Sequence, residues 1–585
     1  MIETDVLIVG CGPAGLTAAT ALARQGSKVV AITKHRQLAP TPRAHVTNQR
    51  TFEILRDFDL ETQAMELATS YTQMPNQIFL RSLASVEFGR IKGLSPDDPR
   101  NRNASPCTIA DLPQNLLEPI LFEAAIKNGA NMRLSTELIS FVQDEQGITA
   151  EVEDHVTGET MVVHARYLIG ADGGRSRIAE KLGLPFEGSG KIGSSLNILF
   201  DCDLAPYVAH RPGLLYFIIR APQDPGGAGL GILRCIKPWT RWLMIKGYEA
   251  GQETPHLSEA DAATVIREYL GLPELELTVT GVDPWDLNSL SANVYQRGRV
   301  FCMGDAVHRH PPSNGLGSNT AIQDAFNLAW KIDLVLKGKA GRGLLESYSQ
   351  ERVPVGRQVV NRATKSMESY VPIINTILNS DVSQQDLDGI TDFTANTQTG
   401  SKLRAELQAT IHEKIYEFQA RGLELNQLYR SSAIIDDGQK LPASPCDLEL
   451  FYAHTTIPGA RLPHAWVQRN GLDISTLDIV GKGRFTLLTG VGGEKWTAAA
   501  KTTAARLDIE ISVIAIGPGL AINDLYFEWA QRREIAEDGC LLVRPDQHIA
   551  WRCQTADLHK GGERLWEALN CILDRDVSDK NFTLH

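Results

Sequence analysis

RVFCMGDAVHRHPPSNGLGSNTAIQDAFNLAWK, residues 299–331, reads as a strand, a Gly-Asp turn, a Pro/Gly loop and a long amphipathic helix. Alone this is an ordinary strand-to-helix crossing. Its meaning comes from VLIVGCGPAG, far upstream at residues 6–15, where Gly10, Gly12 and Gly15 form GxGxxG after a strand and at a helix start. The first two glycines let the backbone turn and approach a pyrophosphate, whose charge then sits on free N–H groups at the helix N-terminus. The third lets the helix pack on the strand. Two such elements so far apart point to one extended cofactor held at both ends.

Around them the chain opens as β-α-β, with a strand at 5–9, a helix at 12–24 and a strand at 28–33. That second strand ends Ile32-Thr33-Lys34, without the acidic residue that would bind a ribose hydroxyl. Arg43 is the candidate charge near the phosphates instead. Residues 43–70 read as helical, 76–104 as short strands followed by a polar loop, and 113–128 as a helix. Strand patterns follow at 131–142, 148–154 and 159–165. HARYLIGADGGRSRIAEKLGL (164–184) is a buried strand, a Gly turn and a helix. Segments 193–203, 214–220, 228–236 and 241–249 are β-rich and predict a second sheet. From 320 to about 430 the pattern is helical. Residues 431–463 read as a Pro/Gly-containing linker onto a last α/β unit, 464–585.

The 585 residues suffice for two to four domains. The formal net charge of −12, from 58 basic and 70 acidic residues, argues against nucleic acid as the main partner. Nine cysteines without a CxxC pair indicate neither a disulfide framework nor a zinc site. No apolar stretch approaches the ~20 residues needed to span a bilayer, and Met1 leads almost directly into the first strand with no room for a signal peptide. The expected setting is the cytoplasm, with no membrane contact.

Two further elements carry chemistry. Gly170–Arg177, GADGGRSR, is read alone as a tight turn capped by its aspartate; Asp172 is also a candidate cofactor contact. At Gly304-Asp305 the aspartate ends a strand, where it can hydrogen-bond a ribitol hydroxyl. Pro312, Gly315, Leu316, Gly317 and Asn319 then lead into a helix starting near Ser318–Asn319. The positive end of that helix would stabilise the negative charge of a reduced flavin near its N1 and C2 oxygen. His308 and His310 have i, i+2 spacing, but no further ligands cluster nearby, and no metal is expected.

In this order the three elements resemble the group A flavoprotein aromatic hydroxylases over roughly residues 3–370. The local match is to the phenol-type branch, through TPRAHVTNQR (41–50), DLPQN (111–115), YLIGADGG (167–174), YVAHRP (207–212) and GDAVHRHPPSNGLGSN (304–319). The resemblance implies an α/β fold: a Rossmann-like FAD-binding domain, an inserted β-sheet substrate domain and a C-terminal thioredoxin-like domain. The expected segments are 1–77, 105–190 and 286–370 for FAD, 78–104 and 191–285 for the substrate sheet, 371–463 for a helical region and linker, and 464–585 for the last domain. KGRFTLLTG (482–490) and DGCLLVRPDQHIAWR (538–552) match that last domain, with Cys540 standing alone.

The resemblance also implies a reaction. NAD(P)H, bound transiently because no second nucleotide fingerprint exists, reduces FAD. Oxygen adds at the flavin C4a, and the hydroperoxide transfers an oxygen atom to an electron-rich ring, ortho to its hydroxyl. A phenol is best attacked as a phenolate, so a base near its oxygen helps. His45 is the choice, with an ordinary pKa near ~6.5 suited to proton transfer, and Asp111 would orient it or pass the proton on. Arg234 reads either as a pocket charge acting on nicotinamide or substrate, or as an exposed strand charge. Tyr216, Phe217 and Trp242 read as a pocket lining or as plain core. Members of this kind are often homodimers. Two rival uses of the scaffold stay open: epoxidation or oxidative rearrangement of a polycyclic natural product, and non-catalytic FAD binding with the last domain as an interaction module. A flavin-dependent halogenase is disfavoured, because the nearest tryptophan pair is PWTRW (238–242) rather than WxWxIP.

Overall fold

The computed structural model describes residues 1–93, 97–220, 229–248, 256–378, 391–441, 444–556 and 561–575. Its first sheet is built around the buried strand Ile2–Val9, which pairs in parallel with Thr160–Gly170 on one side and Val29–Ile32 on the other. Val300–Cys302 extends the sheet beyond Thr160–Gly170, and Asn131–Arg133 extends it beyond Val29–Ile32. These strands are near-continuous Val, Ile and Leu because a parallel sheet is covered on both faces. Helix Pro13–Arg24 packs against both Gln114–Lys127 and Gly317–Leu336. The glycine fingerprint and the Gly-Asp turn, distant in sequence, therefore lie at the C-terminal ends of two strands that flank Thr160–Gly170 in the sheet.

A second, eight-stranded sheet runs in the order 308–309, 278–292, 186–201, 241–248, 230–237, 213–219, 76–80 and 87–92. It is antiparallel except where Gly213–Ile219 meets Asn76–Leu80. The long strands Phe186–Asp201 and Thr278–Ala292 pair along most of their length. They run unbroken through the positions expected to divide the domains at 190 and 285, so each belongs to both sides. Side chains alternate between the two faces of this sheet. Tyr216, Leu233, Trp242 and Met244 form one buried face with Ile266 of helix Glu259–Leu270. Arg234 lies on the other face, in register with Leu215 and Leu243.

The expected helix over 43–70 is broken. Val46–Thr47 pairs with Ala110–Asp111, and only then do helices Gln49–Asp57 and Glu61–Leu67 form. Asn48 stops any earlier start, because its side chain accepts from Thr51 N as an N-cap. In the last domain, Phe485–Thr489 pairs in parallel with Ile511–Ala515 and antiparallel with Cys540–Val543, which is followed by Ile549–Cys553. Helices Glu494–Leu507 and Gly561–Ile572 pack together beside it in a thioredoxin-like arrangement. Cys540 does not stand alone there. Cys553 lies directly opposite it in the ladder, and both are buried free thiols.

Candidate active site

The Gly10 turn has φ +111°, and a Cβ there would lie 2.1 Å from the Ala171 carbonyl oxygen. At Gly15 a Cβ would lie 1.9 Å from the Gly10 oxygen, so this helix–strand approach needs glycine. Gly12, by contrast, has open space above its Cα and caps helix Pro13–Arg24 without a side-chain bond, leaving the first N–H groups free. That is the cradle a pyrophosphate needs, and it fits FAD. Gly10→Ala is therefore expected to abolish FAD retention, measured as flavin absorbance per protein after gel filtration; full occupancy would refute the assignment.

Glu118, from helix Gln114–Lys127, accepts from Ala39 N at 2.7 Å and from Gln114 Nε2 at 2.5 Å, with its carboxylate facing Gly12. It supplies an acidic group near this turn although the second strand has none at its end. Arg43 is exposed and charges the same corner, drawing down the Glu118 carboxyl that burial pushes up. Asp305 is exposed on the Gly-Asp turn, and its carboxylate accepts no hydrogen bond from the other described residues. Asp172 behaves differently: Oδ1 accepts from Ser176 Oγ at 2.6 Å and Oδ2 from Ile178 N at 3.3 Å. Its carboxylate holds the loop and the following helix, so the turn-cap reading replaces the cofactor contact for this residue.

The loop 310–317 is pinned from below. Gly315 has φ +63° and sits so close to Val46 that a Cβ would come within 2.7 Å of the valine Cβ. Asn319 donates to Val46 O at 2.8 Å and to Gly315 O at 2.6 Å, and accepts from Asn48 N and Thr51 Oγ1. Leu316 is buried against Val355, Val359 and Leu423, while Pro312 is exposed. Helix Gly317–Leu336 thus starts where the loop ends, with its positive end free for a flavin. Asp324, one helical stretch later, accepts from Gly304 N at 3.0 Å and meets His308 Nε2 at 2.8 Å. His308 is thereby a support of the Gly-Asp turn.

The pairing of Val46 with Asp111 brings the TPRAH and DLPQN segments side by side, reinforced by Leu112 N donating to His45 O at 2.8 Å. From the second sheet, Arg234 reaches across and its Nη2 donates to Asp111 Oδ2. Arg234 is buried, which overturns the exposed-strand reading. His45 Nδ1 lies 3.9 Å from Asp111 Oδ1, beyond hydrogen-bond reach. Both His45 nitrogens, Asp111 Oδ1, Arg234 Nε and the Tyr71 hydroxyl are buried without a partner. Burial, helped by the Arg234 charge, holds the His45 imidazole well below its usual pKa and therefore neutral. Burial raises the Asp111 carboxyl against the opposing pull of Arg234. Buried polar atoms are nearly always paired, so this convergence marks a place for a polar ligand atom.

Tyr216 and Trp242 do not line it. They occupy the sheet face opposite Arg234: the Tyr216 hydroxyl donates to Arg211 O at 3.0 Å, and Trp242 Nε1 donates to Trp239 O and Cys202 O. Phe217 is on the Arg234 face but is packed between Phe79 and Tyr370. The strand alternation that makes an aromatic side chain look available also sends every second one into the core. Leu199, Ile236 and Leu243 form the apolar patch on the Arg234 face instead.

Residues 3–363 match the family model described as FAD binding domain, and residues 455–575 match that described as aromatic-ring hydroxylase, C-terminal. The chain belongs to the FAD-dependent aromatic-ring hydroxylases. Among relatives of this hydroxylase, 2,4-dichlorophenol 6-monooxygenase of Delftia acidovorans is 44% identical over 98% of each chain. Phenol 2-monooxygenase of Pseudomonas sp. (strain EST1001) is 42% identical over 95% of this chain and 90% of its own. The crystal structure of the flavin-dependent monooxygenase PieE, in complex with FAD and substrate, is 40% identical with a TM-score of 0.93, covering 98% and 100% of the two chains. The hydroxylase is thus an FAD-dependent aromatic monooxygenase, for which NAD(P)H is the usual co-substrate of the family. No helix among its described residues is long and apolar enough to cross a membrane.

Tyr71 and Glu424 are absent from the sequence-predicted site. Tyr71 follows a helix in an undistinguished polar stretch, and Glu424 sits in a short RGLEL segment that reads as a solvated helix face. Neither position carries a local signal: Tyr71 is buried in the apolar cluster that includes Met74, Ile78 and Ile109, and Glu424 lies in a segment that packs over the 313–319 loop.

Proposed function

We propose that this hydroxylase acts on phenols, adding oxygen ortho to the hydroxyl, with His45, Asp111 and Arg234 receiving the phenol oxygen. The convergence of their unpartnered atoms in one buried spot is the observation that carries the reading, and the phenolic substrates named for its relatives agree with it. When bound and reduced by NAD(P)H, FAD supplies the activation of O2 and the transferable oxygen atom. The protein's own part is to make the ring electron-rich. A neutral His45 accepts the phenol proton at a ring nitrogen, and Asp111 stabilises the resulting imidazolium as the 3.9 Å gap closes. Arg234 supplies positive charge to the phenolate oxygen from a preorganised position, held by its pair with Asp111. The apolar patch of Leu199, Ile236 and Leu243 offers the ring a dry surface. We also assign Asp305 to the ribitol and the 312–317 loop with Asn319 to the flavin ring.

The test is turnover of phenol, 2,4-dichlorophenol and a polycyclic phenol by purified holoenzyme with NADH or NADPH. Catechol-type products with substrate-stimulated NAD(P)H oxidation are expected; bound flavin without such stimulation would overturn the assignment, and oxidation of the polycyclic phenol alone would favour the rival substrate class. His45→Gln is expected to slow hydroxylation on the order of 10²–10⁴-fold with FAD content retained. An unchanged rate in that variant would remove His45 from the chemistry.

A further inference from the structure

Cys540 and Cys553 hold mirrored places in the last domain. Cys540 opens strand Cys540–Val543, Cys553 closes strand Ile549–Cys553, and the antiparallel ladder sets them directly opposite each other. Opposed residues in such a ladder have Cα atoms ~4.5–5.5 Å apart and side chains on one face. That spacing lies inside the ~4.4–6.8 Å a disulfide requires. Both thiols are free and buried, in the same apolar cluster as Trp496, Leu565 and Ala568 of the two helices beside the sheet. Cysteine in a core is by default a small apolar filler, but the two sulfurs here have unlike surroundings.

Cys540 is 0% exposed, and burial together with the Cys553 thiol holds its own thiol well above the ordinary range. It is a protonated sulfur shut off from solvent. Cys553, at its strand end, is 7% exposed. Its Sγ donates to Thr555 O at 3.2 Å, and Arg564 Nη1 of helix Gly561–Ile572 donates to it at 3.9 Å. A cation at the rim of the core, beside the less buried sulfur, is the setting in which a thiol reacts, and the buried sulfur is placed to resolve it. The two strands also form a hairpin whose tip carries Arg544, Asp546 and Gln547. From that tip Arg544 bonds Glu351 and Gln547 bonds Arg50, both in the FAD-binding body. Cys540 and Cys553 face each other at the open end of this hairpin, so a bond between them fixes both strands that present the tip.

We propose that Cys540 and Cys553 are a disulfide site, oxidised by hydrogen peroxide, that fastens this hairpin. Hydrogen peroxide is the product when O2 takes two electrons from reduced flavin with no ring to hydroxylate. The Cys553 sulfur, losing its proton, attacks one peroxide oxygen; the O–O bond breaks, and the departing hydroxide leaves as water with that proton. The Cys540 sulfur then attacks the resulting Cys553 sulfenic acid. An S–S bond forms, the S–O bond breaks, and hydroxide leaves as water with the Cys540 proton. The thiol pair gives up two electrons in all, and one peroxide is reduced to two waters. A thiol reductant reverses the bond by exchange. The inference needs only the FAD-dependent monooxygenase activity and holds whichever aromatic substrate is used.

The experiment treats wild-type holoenzyme with hydrogen peroxide, with and without catalase, then alkylates the remaining thiols and maps peptides by mass. The expected result is a peptide pair joined through Cys540 and Cys553 and lighter by two hydrogens, absent with catalase and reversed by dithiothreitol. Flavin release on heating should move to higher temperature in the oxidised protein and return on reduction. Cys540→Ser should stop at a Cys553 sulfenic acid that dimedone traps, and Cys553→Ser should give neither bond nor thermal shift. FAD content reports the folding of each variant, and the wild-type map stands whatever the variants do. Complete alkylation of Cys540 and Cys553 after peroxide, with oxidation confined to the exposed Cys446 and Cys571, would overturn the proposal. So would Cys553 driven to sulfinic acid without a bond to Cys540. A bond that left flavin release unmoved would overturn its part in fastening the hairpin.

Discussion

Arg544→Ala is expected to destabilise the protein by about 3–5 kcal/mol and to loosen FAD, although Arg544 belongs to the thioredoxin-like domain. Its guanidinium donates to Glu351 Oε1 at 2.6 Å, to Glu351 Oε2 at 3.0 Å and to Asp546 Oδ1 at 3.0 Å, and none of these side chains is more than marginally exposed. Glu351 in turn accepts from Lys331 Nζ at 2.8 Å and Asn327 Nδ2 at 2.6 Å, both on the helix whose N-terminus faces the flavin loop. Arg50 adds a second clamp through Gln547 Oε1 at 2.6 Å and Asp546 O at 2.8 Å. Removing Arg544 leaves Asp546 with no cation in that pair and Glu351 with only Lys331, whose ammonium burial has already pushed down to about 8. A Lys replacement should recover little, because a single ammonium cannot bridge two carboxylates as the planar guanidinium does. The charges of Arg544 and Lys331 hold the Glu351 carboxyl well below its usual range, and Arg544 likewise lowers Asp546. Their stabilisation is present above the unfolded carboxylate pKa of roughly 4 and is lost as pH falls through the depressed folded values. The gap between wild type and Arg544→Ala should therefore narrow in acid. Thermal scans of both holoenzymes with flavin fluorescence as a second signal provide the check; coincident transitions and equal flavin release at neutral pH would show that this network does not join the domains energetically.

That network also shows which parts of the molecule the sequence makes legible. The dinucleotide turn is readable because its pattern is local: Gly10, Gly12 and Gly15 fall within one short stretch between a strand and a helix, although the Ala171 carbonyl that forbids a Cβ at Gly10 comes from far along the chain. The Gly-Asp turn with its helix is readable for the same reason. His45 and Asp111 became visible through the TPRAH and DLPQN segments, and the short pairing of Val46 with Asp111 shows why they belong together. The pocket lining was not readable, since a strand tells which residues share a face but not which face meets the substrate. Tyr216 and Trp242 fell on the face under helix Glu259–Leu270, whereas Arg234 fell on the other. Glu351 and Arg544 look like solvated charges in sequence because the contact that joins them spans 193 positions. Long-range burial of charge leaves no periodic trace. The same reasoning bears on the last domain: with Arg544, Asp546 and Gln547 inserted against Arg50 and the flavin helix, it is an integral part of the FAD-binding body and not a separable module.

The second large effect is expected at the pair that closes the phenol site. Arg234→Ala should lower kcat/KM for phenols on the order of 10²–10³-fold, the usual result of deleting one preorganised donor from a developing oxyanion. Asp111→Ala should be at least as damaging, because it strands the Arg234 guanidinium in a buried site and removes the partner of a protonated His45. The double substitution should cost much less than the product of the two single losses, since each single variant leaves an uncompensated charge that the double variant does not. Burial raises the Asp111 carboxyl while Arg234 draws it down, so Arg234→Ala leaves burial unopposed. The folded Arg234→Ala protein then binds that proton more tightly than its unfolded chain does, and it should gain stability relative to wild type as pH falls and lose it as pH rises above the carboxylate range. Phenols that are already ionised at the assay pH should suffer least from Asp111→Ala, because they need no proton removed. Strictly multiplicative losses in the double variant, together with equal sensitivity of neutral and ionised phenols, would mean that Asp111 and Arg234 act separately and that their contact is only a strut between the two sheets.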